Sequence, residues 1–164
     1  MEIRSYSSED WPAVERIYAD GIATGLATFE TVPKSQEAWE SGSIPHSAIV
    51  ATEPSTGNIL GWATLWSTSN RAAYAGVAEV SLYVGTNARG RGAGKALLGA
   101  LISTSEKLGI WTLQAGIFEE NSLSVLLHEK CGFRVVGTRE KISALKGEWK
   151  NVILMERRST IIGV

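Results

Sequence analysis

The sequence predicts an α/β (α+β) domain built on one mixed sheet, and three observations carry that expectation. At 164 residues and 17.6 kDa the chain has the size of one ordinary domain. With 44% hydrophobic and 20% charged residues it can bury a real core. Candidate strands alternate with candidate helices along the chain, and strand pairs stand at both ends of the order.

Each element has its own signal. Ile3 and Arg4 read as a short first strand, and Ser8 as an N-cap with Pro12 in the first helical turn. Trp11, Val14, Ile17, Tyr18 and Gly21 recur at helical spacing, which predicts an amphipathic helix over about Glu9 to Asp20. A shorter helix is expected from Gln36 to Glu40. Ala48 to Thr52 and Leu60 to Ser67 read as a strand pair joined by the turn Pro54-Ser55-Thr56-Gly57-Asn58. Val77 to Val84 is the strongest strand and Ala96 to Leu108 the strongest helix. Thr112 to Ile117 is a further strand, and Ser122 to Lys130 a helix. Phe133 to Thr138 and Val152 to Met155 are the closing strands. Residues 1–158 are expected to form the single domain and residues 159–164 a C-terminal tail.

Composition excludes several classes. Sixteen basic residues against 17 acidic ones give a formal charge of −1, without the excess that marks a nucleic-acid or membrane binder. The one cysteine, Cys131, allows neither an intramolecular disulfide nor a cysteine metal cluster, and suits a reducing cytoplasm. His46 and His128 lie far apart without nearby acidic spacing, so no metal site is expected. No apolar run approaches the ~20 residues that span a bilayer, and the opening Met1-Glu2-Ile3-Arg4 does not read as a signal peptide.

The most informative segment joins the best strand to the best helix. It runs Arg89-Gly90-Arg91-Gly92-Ala93-Gly94-Lys95, with three glycines and three cations in seven residues. Glycines admit a ligand close to the backbone, and the first turn of a helix offers free N–H groups at the positive end of its dipole. A phosphate or pyrophosphate is the natural guest. The nucleoside-triphosphate loop fails, because Ala96 follows Gly94-Lys95 and position 89 is Arg. The dinucleotide fingerprint fails in both registers, ending on Lys95 or on Leu97.

The spacing Arg89-x-x-Gly92-x-Gly94 resembles the pyrophosphate loop of the GCN5-related N-acetyltransferase (GNAT) family, which binds acetyl-CoA. A second segment resembles a later motif of that family: Asn121-Ser122 opens a helix that ends His128-Glu129-Lys130-Cys131-Gly132-Phe133. Within the family the chain is similar to the phosphinothricin and methionine sulfone/sulfoximine N-acetyltransferase branch. Thr28-Phe29-Glu30-Thr31, Arg71-x-x-Tyr74, Ala78-Glu79-Val80-Ser81, His128-Glu129 and Gly147-x-Trp149 carry that likeness, which runs from about Ile3 to Met155. Asn151 stands where many relatives have Asp, and Gly85-Thr86-Asn87 lacks a proline that many have.

The resemblance implies a mostly antiparallel sheet flanked by helices, with two central strands splayed apart after Val84 to admit CoA. Leu82, Tyr83 and Val84 would line the pantetheine arm, with the backbone of Leu82 and Val84 bonding it as a surrogate strand. Arg89, Gly90, Arg91, Gly92, Ala93, Gly94 and Lys95 would hold the pyrophosphate, and Asn121 would contact the cofactor. The reaction implied is direct acetyl transfer to the amine of a small amino acid or analogue, in a cytoplasmic homodimer that needs no metal. Transfer to protein amines, or a CoA sensor without catalysis, stand as alternatives.

Pleating puts Glu79, Ser81 and Tyr83 on one face of their strand and Ala78, Val80, Leu82 and Val84 on the other. Glu79 is the candidate general base acting through a water, although a strand glutamate is ordinarily a solvated acid. His128 stands where many relatives carry a Tyr that protonates the leaving thiolate; it could act as acid or base, or cap the helix end. Phe29, Glu30, Arg71 and Tyr74 are the expected acceptor-side residues, Arg71 offering a planar fork to a carboxylate or acidic oxo group. Trp149 could shape the pocket or a subunit contact, but the six tryptophans read chiefly as packing. His46 reads as a surface residue and Cys131 as a small buried hydrophobe.

Overall fold

A computed structural model of the protein describes Met1 to Val164. Seven strands and four helices are formed: β1 (Glu2–Ser5), α1 (Trp11–Ala23), α2 (Gln36–Gly42), β2 (Ile49–Thr52), β3 (Ile59–Ser67), β4 (Val77–Val84), α3 (Ala93–Lys107), β5 (Thr112–Phe118), α4 (Ser122–Lys130), β6 (Arg134–Leu145) and β7 (Glu148–Arg158). One sheet holds all the strands, in the order β1-β2-β3-β4-β5-β7-β6. Its neighbours are antiparallel except β4 and β5, which run parallel.

The start of α1 differs from expectation. Ser7 rather than Ser8 precedes the first turn, a 3₁₀ turn over Ser8–Asp10, and its N–H donates to the Asp10 carboxylate at 2.9 Å. Asp10 is also clamped by the Arg4 guanidinium at 2.7 and 2.8 Å, which holds its carboxyl below the usual range. A carboxylate can satisfy an orphan N–H and a neighbouring cation together, as a serine hydroxyl cannot. Ser35 caps α2 by accepting from the Ala38 N–H at 3.2 Å.

The faces of the sheet are covered by different helices. On one side Trp11, Val14, Ile17 and Tyr18 of α1 and Trp39 of α2 meet Val50 and Trp62. On the other, Leu97, Leu98 and Leu101 of α3, all fully buried, pack on Leu65, Ala78, Val80, Leu113 and Met155. Burying each such large side chain contributes roughly 1.5–3 kcal/mol, so the two layers hold β3 and β4 rigidly between them. The tryptophan expectation holds for Trp11, Trp39 and Trp62, which are buried, and fails for Trp149, which is 62% exposed.

The parallel ladder between β4 and β5 is short. It pairs Val77 with Thr112, Ala78 with Leu113 and Glu79 with Gln114, and then stops. Beyond it β4 stays with β3 as far as Val84, whereas β5 stays with β7 as far as Phe118. The strands therefore part after Glu79, five residues earlier than expected from the resemblance. Each is committed along its whole length to its other neighbour, and sheet twist separates the two halves.

The closing hairpin is far longer than the sequence predicted. β6 and β7 turn at Lys146 and Gly147, both with left-handed φ (51° and 83°), the geometry of a tight two-residue hairpin. After β7, Ser159 is buried; its N–H donates to the Trp111 carbonyl at 2.8 Å and its hydroxyl to Glu106 at 2.9 Å. No helix is long and apolar enough to cross a membrane.

Candidate active site

The divergence of β4 from β5 leaves backbone groups free. The Gly85 N–H donates to the Leu60 carbonyl of β3 at 2.8 Å, so alternate residues before it, Tyr83, Ser81 and Glu79, also turn their backbone to β3. Val80, Leu82 and Val84 consequently aim N–H and C=O into the wedge. Nothing in the chain occupies that edge beyond Glu79. An extended ligand with alternating amides fits it as an added strand fits a sheet.

Two adjoining cavities follow the wedge, sharing Ala27, Leu82, Tyr83 and Ser124 as walls. The outer one, about 550 Å³, runs from Leu82 to the N-terminus of α3 and includes Arg89, Gly90, Gly92, Ala93, Gly94 and Lys95. Leu123 and Leu126 of α4, exposed at 80% and 45%, form an apolar lip there. The inner cavity, about 420 Å³, lies beneath Glu79 and contains His128, Phe29 and Arg139.

The outer cavity fits the diphosphate and arm of acetyl-CoA. α3 begins at Ala93, three residues earlier than expected, so Gly94 and Lys95 belong to its first turn. Its first intrahelical bond runs from the Ala96 N–H to the Gly92 carbonyl at 3.0 Å, which leaves the preceding N–H groups free for an anion. Gly92 caps the helix at φ 84°, and a Cβ there would point into open space, which leaves room for a phosphate. Arg89 and Lys95 reach the same cavity. Arg91 does not: it pairs with Glu53 at 2.9 Å, because the turn between β2 and β3 carries that carboxylate beside it.

Asn121 lines the cavity with its amide already engaged. Its Oδ1 accepts from the Ser124 N–H at 3.3 Å, capping α4, and its Nδ2 donates to the Leu26 carbonyl at 3.2 Å. It therefore ties the loop after α1 to the mouth of the wedge.

Glu79 closes the ladder and opens to the inner cavity, as the pleat predicted. The residue is exposed as a whole at the cavity mouth, yet partial burial of its carboxyl among the walls pushes its pKa up; the positive charge of Arg139 opposes that rise. His128 sits on the opposite wall, buried, with its ring against Phe133 at a 5.0 Å centroid distance. Nδ1 lies 2.8 Å from the Ser124 carbonyl oxygen and donates to it, since a carbonyl can only accept. Nε2 then carries a lone pair, is buried and has no partner in the chain. Burial also lowers the His128 pKa, which keeps the ring neutral. The ring is an acceptor in waiting.

The four expected acceptor-side residues separate. Phe29 lines the inner cavity, held edge-to-face on Phe118 at 4.7 Å. Glu30 does not; it pairs with Lys34 at 3.1 Å beside a smaller hollow. Arg71 and Tyr74 sit on the exposed loop between β3 and β4, the guanidinium 5.4 Å from the ring centre, and line neither cavity. Trp149 is on the outer hairpin, His46 is at the surface and Cys131 is partly buried. The sequence reading missed Arg139, Ile142 and Ser143, which β6 delivers to the inner cavity.

A sheet split between parallel strands, a free strand edge and a glycine-opened helix N-terminus define an acyl-CoA-dependent transferase. The chain belongs to the Acetyltransferase (GNAT) family, matched over residues 7–133, and is an acetyl-transferring enzyme. It is 32% identical over 164 residues to the phosphinothricin N-acetyltransferase of Alcaligenes faecalis, covering 94% of this chain and 81% of that one. It is 27% identical to the L-methionine sulfoximine/L-methionine sulfone acetyltransferase of Pseudomonas aeruginosa, covering 94% of this chain and 92% of the relative. Among solved structures, a phosphinothricin acetyltransferase from Sinorhizobium meliloti in complex with AcCoA superposes with a TM-score of 0.89 at 29% identity, covering 99% of this chain and 90% of that one.

Proposed function

We propose that the protein transfers the acetyl group of acetyl-CoA to the α-amine of a small amino acid or analogue of the phosphinothricin or methionine sulfone kind, within a ternary complex. The observation that carries this reading is the continuity of the wedge: the free edge of β4 leads from the first turn of α3 directly to Glu79. Bound acetyl-CoA supplies the thioester carbon, to which the new C–N bond forms as the C–S bond breaks and the CoA thiol leaves. The edge groups of Val80, Leu82 and Val84 orient the arm, and one N–H among them polarises the thioester carbonyl. Glu79 takes the ammonium proton through a water, a role worth roughly 10²–10⁴ in rate. The first proton passes from Glu79 to solvent, and the second proton that the nitrogen sheds on acylation reaches the leaving thiolate through solvent. His128, neutral with Nε2 as an acceptor, can take a hydrogen bond in the same cavity but cannot donate from that atom.

The outer face of the hairpin supports a homodimer. β6 ends the sheet with an unpaired edge, and Val135, Val136 and Trp149 are exposed at 45%, 45% and 62%. A long apolar edge left open is an aggregation hazard, and a second copy covers it. The single thiol fits a reducing cytoplasm.

The test is a mass-spectrometric assay of purified protein with acetyl-CoA and a panel of amino acids, analogues, peptides and proteins. N-acetylated small amino acids are the expected products. Acetylation of peptides alone would replace the acceptor class, and CoA binding without any turnover would make the protein a sensor.

A further inference from the structure

The inner cavity holds two opposite full charges that no other side chain neutralises. Glu79 stands on β4 and Arg139 on β6, and neither belongs to any of the seven ion pairs of the molecule. The other titratable groups on these walls are His128, whose pKa burial lowers, and Tyr83, whose pKa burial raises; both are neutral near pH 7. The cavity thus offers one anion and one cation on facing elements. A zwitterionic amino acid carries the complementary pair.

Arg139 reaches the cavity through a built distortion. It pairs with Val152, but the next register pair is Ser143 with Lys150, so four steps along β6 match two along β7. Lys141 takes a left-handed φ of 45° inside this bulge. Bulges re-aim side chains, and this one presents Arg139, Ile142 and Ser143 together to the cavity. Asn151 braces it: its Oδ1 accepts from the Lys141 N–H at 2.8 Å, and its Nδ2 donates to Glu119 at 2.9 Å. An aspartate at 151 could not make the second bond.

We infer that Arg139 receives the α-carboxylate of the acceptor, so that the substrate is a free amino acid rather than an amide or a simple amine. The inference rests on the transferase reading above and adds the group that recognises the acid. The guanidinium fork matches a carboxylate bidentately, which turns the amine toward Glu79 and the thioester. Arg71, stacked on Tyr74, lines neither cavity, whereas Arg139 lines the one that holds Glu79.

Calorimetric titration of CoA-loaded protein with methionine sulfone and with its carboxamide tests this without turnover, and kcat/KM for both tests it with turnover. The wild type binds the acid about tenfold or more tighter than the carboxamide. Arg139→Gln weakens the acid by about tenfold to a hundredfold and the carboxamide by less than about threefold, while Arg139→Lys recovers part of the loss. Parallel weakening of acid and carboxamide, no binding preference in the wild type, or loss of the acid on Arg71→Gln with Arg139→Gln silent would each overturn the assignment. A binding preference that follows Arg139 without acetyl transfer to any amine would instead overturn the transferase reading alone. Turnover with an unchanged acid-to-carboxamide ratio in Arg139→Gln would sink only the carboxylate role.

Discussion

The His128 ring is fixed by the carbonyl of Ser124, one helical turn earlier, at 2.8 Å from Nδ1. That contact sets the tautomer and leaves Nε2 bare and buried. Burial disfavours the imidazolium, so the native state resists protonation while the unfolded chain takes up a proton near pH 6.5. Stability is therefore complete above about pH 6.5 and lost as pH falls below it, because the unfolded state binds more protons there. The thermal midpoint of the wild type is expected to fall more between pH 7.5 and pH 5 than that of His128→Asn. Equal falls in calorimetry would show that His128 takes its proton as readily folded as unfolded.

Glu79 is expected to control turnover with little effect on cofactor binding, since it touches the inner cavity and not the helix N-terminus. Glu79→Gln lowers kcat by about 10²–10⁴, and the acetyl-CoA Kd stays within about twofold. As the proposed base, Glu79 acts only when ionised, so the rate is expected to fall as pH drops through its pKa, which burial raises above the usual 4.5. Removing the nearby cation in Arg139→Gln moves that acid limb to higher pH. Steady-state profiles of the three proteins check both statements, and an unmoved limb in Arg139→Gln contradicts the coupling.

Gly92 separates the cost to the chain from the cost to the ligand. A valine at φ 84° strains the backbone by about 1–2 kcal/mol, although no protein atom lies within 4 Å of the added Cβ. The open space it enters is the mouth of the cavity proposed to hold the phosphates. Gly92→Val is expected to weaken acetyl-CoA by about tenfold or more in calorimetry while the protein still folds. Unchanged affinity would move the phosphates away from α3.

The hairpin face is expected to be covered by a second copy. Replacing Trp149 and Val136 by Glu puts charge on an apolar edge that a second copy would desolvate, and is expected to halve the mass measured by light scattering. A monomeric wild type would remove the dimer from the account.

How far the sequence could be read follows from where its signals lie. The cavity-facing position of Glu79 and the strand-to-helix turn at 89–95 were legible because pleat alternation and a glycine-rich turn are local patterns. The point at which β4 leaves β5 was not, since it depends on which other strand holds each of them. The bulged part of β6 was hidden for a related reason. The strand signal reaches only as far as Thr138; beyond it Arg139-Glu140-Lys141 carries no apolar alternation, and the segment buries nothing before Leu145. Arg71 and Tyr74 matched a pattern whose position in space the chain did not fix locally.

Asn151 offers the sharpest check on that hidden segment. Asn151→Asp keeps an acceptor for the Lys141 N–H but loses the donor to Glu119, and sets two carboxylates against each other where a 2.9 Å bond had been. The bulge loosens, and the variant is expected to lose about 1 kcal/mol in urea unfolding at low ionic strength. Since the cause is charge repulsion near the surface, about 1 M salt, with a Debye length of about 3 Å, restores most of the loss. Acid-over-carboxamide preference should fall with it, because Arg139 is aimed by the same bulge. A stability loss indifferent to salt, or a preference unmoved by a loosened hairpin, would separate Asn151 from the placement of Arg139.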